Sequence, residues 1–170
     1  MLKIIQENIF NIQVDAIVNP ANTSLLRGGG LCGLIHKYAG TELEVYCKQL
    51  GSQNFGQAVI TPSFNLKNCA HIIHACGPRW IDGLRNEEED LALVHRNILN
   101  LTVNNQLKSV ALPAISTGIY RFPVNLAAKI AIDTLLTNLH ESSLTVYLVL
   151  NEQYKLECYK SELDKNRAQD

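Results

Sequence analysis

Two short segments carry residue types that could hold an anion. Gly28-Gly29-Gly30 lets the backbone come close to a ligand, because glycine tolerates positive φ and has no Cβ. Ser116-Thr117-Gly118-Ile119-Tyr120 is a second glycine-containing stretch. Each follows an apolar run that reads as a strand and precedes a stretch that reads as a helix. The free N–H groups at a helix start, added to those of such a loop, form a concave donor surface for phosphate oxygens. A glycine triplet alone is often only a flexible turn. Two such units on neighbouring strands, however, would hold a diphosphate between them, and a diphosphate with two sugars is then the natural ligand. Asn19 and Asn22 leave the first strand three residues apart, placed to offer amide donors and acceptors beside the first loop. Cys32 and His36 are four apart on a helix and could share a metal, but no third and fourth ligand stands at suitable spacing. No metal and no other cofactor is expected. A thiol near a helix N-terminus has a lowered pKa, so Cys32 could act as a nucleophile; the plainer reading is a small residue in a pocket wall.

These residues need rigid elements behind them. Ala16-Ile17-Val18 suits a strand covered on both faces, and Asn19-Pro20 ends it, since proline cannot donate to a ladder. Leu31 to Leu50 has helical spacing with a break at Gly40, and Gly51 stops it. Leu2–Gln6, Ala58–Thr61, Ala70–Cys76, Val110–Leu112 and Leu144–Leu150 read as further strands. Glu87–Gln106, Pro123–Leu139 and Glu152–Leu163 read as helices, with Pro123 at the position where a helix start tolerates proline. The acidic run Glu87-Glu88-Glu89-Asp90 suits the N-terminus of its helix through the macrodipole. His71 and His74 fall on opposite faces of a buried strand and read as core histidines rather than acid–base groups. His36 reads as locally packed, and Cys47, Cys69, Cys76 and Cys158 as small core hydrophobes. Arg79 and Trp80 either border the site or cap a strand.

The chain of 170 residues is 46% apolar, enough for one sizeable core. Its formal net charge of -1 gives no basic platform for nucleic acid. Five cysteines without a CxxC pair argue against a disulfide framework and for a reducing compartment. No apolar run is long enough to span a membrane and the first residues lack the features of a signal peptide, so a cytoplasmic monomer is expected. Residues 1–163 read as a single α/β domain, and 164–170 as a polar C-terminal tail that frays.

Five segments in order, IVNPAN at Ile17–Asn22, GGG at Gly28–Gly30, GLIHKYAG at Gly33–Gly40, IIHACGP at Ile72–Pro78 and LPAISTGIYRFP at Leu112–Pro123, resemble a macro domain. That family binds ADP-ribose, and several branches hydrolyse ADP-ribose linkages. The resemblance implies a three-layer α/β/α sandwich around a mixed sheet, with ADP-ribose or an ADP-ribosylated protein as partner. On the pattern NxAN, Asn22 would hold the distal ribose hydroxyls, with Ala21 beside it. Gly28, Gly29, Gly30 and Leu31 would line the first phosphate loop. Ser116, Thr117, Gly118, Ile119 and Tyr120 would form the second, with Tyr120 also packing on the distal ribose. Asn8 and Ile9 would sit at the adenine. Asn22, Cys32 and Tyr120 mark the reacting end, where water attacks near the anomeric carbon, aligned by the substrate's phosphate and by Asn22.

The departures from the family pattern concern both ends of the ligand. Cys32 stands where the hydrolase branch often has an aspartate, and it cannot act as that carboxylate base. Viral members that resemble the family carry alanine there and still look catalytic, so the exchange lowers the expected rate without excluding activity. Asn8 replaces the aspartate that accepts from the adenine amine, which weakens the bond by removing its charge. Asn151 falls where an aromatic side chain commonly stacks on adenine, a contact worth about 1–3 kcal/mol by analogy with other base stacking. Two readings therefore stay open: an ADP-ribosyl hydrolase acting on modified protein side chains or on O-acetyl-ADP-ribose, and a non-catalytic ADP-ribose or nucleotide-binding module with an altered adenine pocket.

Overall fold

The computed structural model describes residues 1–139 and 143–168. In chain order its strands are β1 (Leu2–Ile5), β2 (Ala16–Pro20), β3 (Ala58–Pro62), β4 (His71–Ala75), β5 (Ser109–Leu112) and β6 (Thr145–Val149). The helices are α1 (Gly30–Ala39), α2 (Thr41–Leu50), α3 (Glu87–Asn104), α4 (Val124–Leu139) and α5 (Gln153–Arg167). The sheet has the order β1-β6-β5-β2-β4-β3. All neighbours are parallel except β3, which runs antiparallel to β4 at the edge. The sheet is therefore mixed, and the molecule is the expected α/β/α sandwich.

The central strand β2 divides its side chains between two cores, as alternation along a strand requires. Ala16 and Val18 join the larger core with Leu91, Ile98, Ala128 and Leu135, which come from α3 and α4. Ile17 joins the other with Ile35, Ala39, Leu43 and Cys47, which come from α1 and α2. Ile17 and Val18 are fully buried, and removing such a side chain from water stabilises by about 1.5–3 kcal/mol. This double burial holds the carboxyl end of β2, and the loop that leaves it, in a fixed place.

Gly40 separates α1 from α2 because its φ of 94° lies where only glycine is unstrained, and its N–H still donates to the His36 carbonyl at 3.0 Å. Pro123 stands just before α4, and its carbonyl accepts from the Ala127 N–H at 2.9 Å.

One segment differs from the sequence reading. The last helix continues to Arg167 instead of fraying from Asp164. Asn166 Nδ2 donates to Asp133 Oδ1 on α4 at 3.1 Å, so a polar turn is tied to its neighbour; residues 169 and 170 of the expected tail lie outside the described residues. The acidic run starts α3 as expected, and its first residue, Glu87, is also 2% exposed and binds the preceding loop. Its Oε1 accepts from the N–H groups of Ile81, Asp82 and Gly83, and its Oε2 from that of Arg85.

Candidate functional site

A cavity of about 590 Å³ lies across the carboxyl ends of the five parallel strands, where ligands of open α/β sheets bind. β2 and β5 are adjacent, so the loops that leave them face each other over this cavity. Gly28, Gly29, Gly30 and Leu31 line it on one side, and Ser116, Gly118, Ile119 and Tyr120 on the other. The main-chain N–H groups of Gly29, Gly30 and Leu31, at the start of α1, have no acceptor among the described residues. The same holds for Gly118, Ile119 and Tyr120. Among the described residues, Glu7, Glu152 and Lys155 are the only charged ones in the lining, and none belongs to either loop. An anion here would be held by main-chain dipoles and a helix terminus rather than by a cation.

Asn22 is half-buried on the wall of the cavity. Its Nδ2 donates to the Leu26 carbonyl at 2.8 Å and its Oδ1 accepts from the Ser24 hydroxyl at 2.6 Å, which fixes the amide plane. Ala21 and Cys32 stand beside it. Cys32 is 6% exposed, and its thiol faces the Leu26 carbonyl at 3.9 Å. Burial pushes this thiol up from its ordinary value, against the lowering expected at a helix N-terminus. It stands as a neutral thiol in a wall. Tyr120 lies under the Arg79 guanidinium, 5.2 Å from its ring centroid, with Phe55 edge-on. Burial, as the largest cause, also raises the Tyr120 pKa. Arg79 and Trp80 border the second loop from beneath, since the Trp80 N–H donates to the Tyr120 carbonyl at 2.9 Å and its ring packs on Phe122. Asn8, Ile9 and Asn151 line the opposite end of the cavity, with Phe10, Tyr38 and Val149.

Two expected site residues are elsewhere. Thr117 does not line the cavity: its hydroxyl and its N–H both turn inward to the Ala114 carbonyl, which closes the turn. Asn19 is fully buried in the sheet. Its Nδ2 donates to Nδ1 of His74, its partner on β4, at 3.0 Å. The other ring nitrogen of His74 therefore carries the proton and donates to the Thr61 hydroxyl at 3.0 Å. Burial, then the neighbouring His36, lowers His74 to about 3, so it is a neutral, hydrogen-bonded core histidine. Among the described residues no group of three or more His, Cys, Asp or Glu side chains stands in metal-binding arrangement.

Sequence reasoning missed Glu7, Phe10, Tyr38 and Lys155 in the lining. The Phe10 and Tyr38 rings meet edge-on at 4.8 Å and wall one end of the cavity. Their positions, two residues beyond Asn8 and on the same face of α1 as Leu34, carried a signal that was legible once the cavity was placed.

The fold and this site define a class. A family model described as Macro domain matches residues 18–131. A macro domain-containing protein of Lactiplantibacillus plantarum is 45% identical over 148 residues, covering 87% of this chain and 86% of that protein. A Salmonella newport protein named O-acetyl-ADP-ribose deacetylase is 43% identical over 165 residues, covering 95% of this chain and 88% of its own length. The Oceanobacillus iheyensis macrodomain, solved with ADP, superposes with a TM-score of 0.94 at 35% identity, over 99% of this chain and 93% of that one. The chain belongs to the macro domain family.

Proposed function

We propose that this macro domain binds ADP-ribose and hydrolyses ADP-ribosyl linkages, on mono-ADP-ribosylated acidic side chains or in O-acetyl-ADP-ribose. The observation that carries this reading is the pair of N–H-lined loops, Gly28–Gly30 and Ser116–Tyr120, facing each other after adjacent parallel strands. Their donors are fixed before a ligand arrives, so a diphosphate is stabilised without the reorganisation a flexible cation would need. Asn22, its amide held by Ser24 and Leu26, would grip the distal ribose hydroxyls. Tyr120 would pack on the same sugar. With the ribose so held, water aligned by the substrate's own phosphate adds to the anomeric carbon as the bond from that carbon to the acyl oxygen breaks. The carboxylate leaves, the water proton passes to the phosphate or to solvent, and free ADP-ribose results, with alignment of this kind supplying a large share of the barrier reduction. Cys32, as a neutral thiol, would shape the wall beside that water rather than take its proton. Likeness to the Salmonella newport protein supports the substrate class. All five cysteines are free, which supports action in a reducing cytoplasm.

Cys32 in place of an aspartate favours the second reading, a binding module without turnover. One experiment separates the two. The wild type is incubated with a substrate ADP-ribosylated on acidic side chains, and the assay is repeated with Asn22→Ala. Loss of the modification with wild type, slowed about a hundredfold or more in the mutant, is the expected result, since misplacing a bound substrate by about 1 Å costs that much. If both proteins leave the modification untouched while calorimetry shows the wild type binding ADP-ribose, the binding-module reading holds.

A further inference from the structure

A second cavity, of about 280 Å³, opens between the start of β3 and α3. Its lining takes Gln53 and Gln57 from the segment before β3, Ala58 from β3 itself, and Asn97, Asn100 and Asn104 from one face of α3. Ala58 is the register partner of Ala75, which lines the larger cavity, so the two hollows stand at neighbouring strand ends on the same side of the sheet. The segment that leads to β3 is pinned to the larger site at both ends. The Gln53 N–H donates to the carbonyl of Thr23, one residue beyond Asn22, at 2.7 Å. The Gln57 carbonyl accepts from the N–H of Cys76, one residue before Gly77, at 2.9 Å. Between these two ties Phe55 sets its ring edge-on to Tyr120, with 6.4 Å between centroids. A chain that leaves the larger cavity past Tyr120 and Phe55 meets the second one.

The chemistry of this groove differs from that of the larger site. Five of its side chains end in carboxamides, and among the described residues its lining holds no charged group. Part of each amide is unused. Asn97 Nδ2 donates to the Gly56 carbonyl at 2.8 Å and Gln53 Nε2 to that of Gly51 at 3.3 Å, which leaves both side-chain oxygens as acceptors. Gln57 Oε1 accepts from the Asn54 N–H at 3.1 Å, which leaves its Nε2 as a donor. Asn100 and Asn104 are exposed and their side chains make no hydrogen bond among the described residues. Neither an anion nor a cation finds an opposite charge here, and desolvating either without one is costly. A polypeptide main chain fits, since each residue other than proline brings one N–H and one C=O, the same two groups that a carboxamide pairs with. An acetyl ester has no N–H to give and ends at its methyl group.

We infer that this groove receives the polypeptide that carries the ADP-ribose, so that the substrate of the site is a modified protein rather than a small acyl ester. The inference rests on the function proposed above. Replacing Asn100→Ala together with Asn104→Ala removes two of the five carboxamides and breaks no hydrogen bond among the described residues. Alanine also favours the helix, and a thermal melt checks that the variant is folded. Calorimetry then compares free ADP-ribose with a short peptide that carries ADP-ribose through a linkage water does not cleave, on both proteins. The wild type binds the peptide conjugate about tenfold tighter than free ADP-ribose, the scale of one or two added hydrogen bonds. The double variant loses that advantage and binds free ADP-ribose as the wild type does. Equal wild-type affinity for the two ligands, or an advantage that survives in the double variant, overturns the inference and leaves the proposed function standing. Binding of neither ligand by the wild type removes both.

Discussion

At the scale of single residues, what the two loops lack matters as much as what they contain. A Cβ built on Gly29 meets nothing within 4 Å, and the residue's φ of -88° is open to any side chain. The fold does not need glycine there; the anion proposed above would. Gly77 is the contrasting case, since a Cβ on it would run into Ile115 and the Ser116 side chain, so it is small in order to seat the second loop. Gly29→Glu should therefore fold normally and still lose ligand. Its carboxylate would stand where a phosphate must, and like charges brought together cost several kcal/mol. The expected loss of ADP-ribose affinity is at least about a hundredfold, or ~3 kcal/mol. Calorimetry reads it, with a circular dichroism melt to confirm the fold, and undiminished affinity in a folded variant would show that phosphate does not sit at this loop.

At the scale of elements, the least legible feature is the start of α3. The acidic run suits a helix N-terminus, but Glu87 acts backward on the loop 81–85, accepting four main-chain N–H groups while buried. Burial alone would raise its pKa; those hydrogen bonds outweigh it and hold the carboxyl at about 2, below the ordinary 4.5. A folded pKa below the unfolded one means stability that is present above pH 4.5 and is lost as pH falls from 4.5 through 2. Glu87→Gln sets an amide N–H against the Arg85 N–H and should lower the melting temperature at neutral pH by about 5 °C. It should also flatten the fall of melting temperature between pH 4.5 and pH 3; an unchanged acid limb would mean that another group carries it. Elsewhere the elements could be read because punctuation and period agree: Pro20 closes β2, Gly40 breaks the helix pair, and Pro123 precedes α4. What could not be read depends on partners distant in the chain. The burial of Asn19 is decided by His74 across a parallel pairing, the antiparallel run of β3 by its packing beside β4, and the persistence of α5 to Arg167 by Asp133 on another helix. Thr117, expected among the main-chain donors of the second loop, turns both its N–H and its hydroxyl to the Ala114 carbonyl, which loop composition does not reveal.

At the scale of the whole molecule, the site belongs to no single element. Its floor is the row of five parallel strand ends, its first loop opens α1 on one face of the sheet, and its second lies just before α4 on the other. The two hydrophobic cores meet only through the sheet, because Ile17 and Val18 of the same strand face opposite ways. A diphosphate held by both loops would therefore bridge elements anchored in different cores. Because it binds that assembled arrangement and not the unfolded chain, it stabilises the fold as a unit. At a free concentration about a hundred times its dissociation constant, a ligand of this kind adds ~2.7 kcal/mol. For a chain of this length that corresponds to a rise in melting temperature of about 5–10 °C in a single cooperative transition. Differential scanning calorimetry with and without ADP-ribose measures it. Gly29→Glu serves as the control, with an unliganded transition like that of the wild type and no ligand-induced rise. A rise of equal size in Gly29→Glu would place the stabilising contacts outside the glycine loop, and a split transition would mean that the two cores melt separately and are not joined by the ligand.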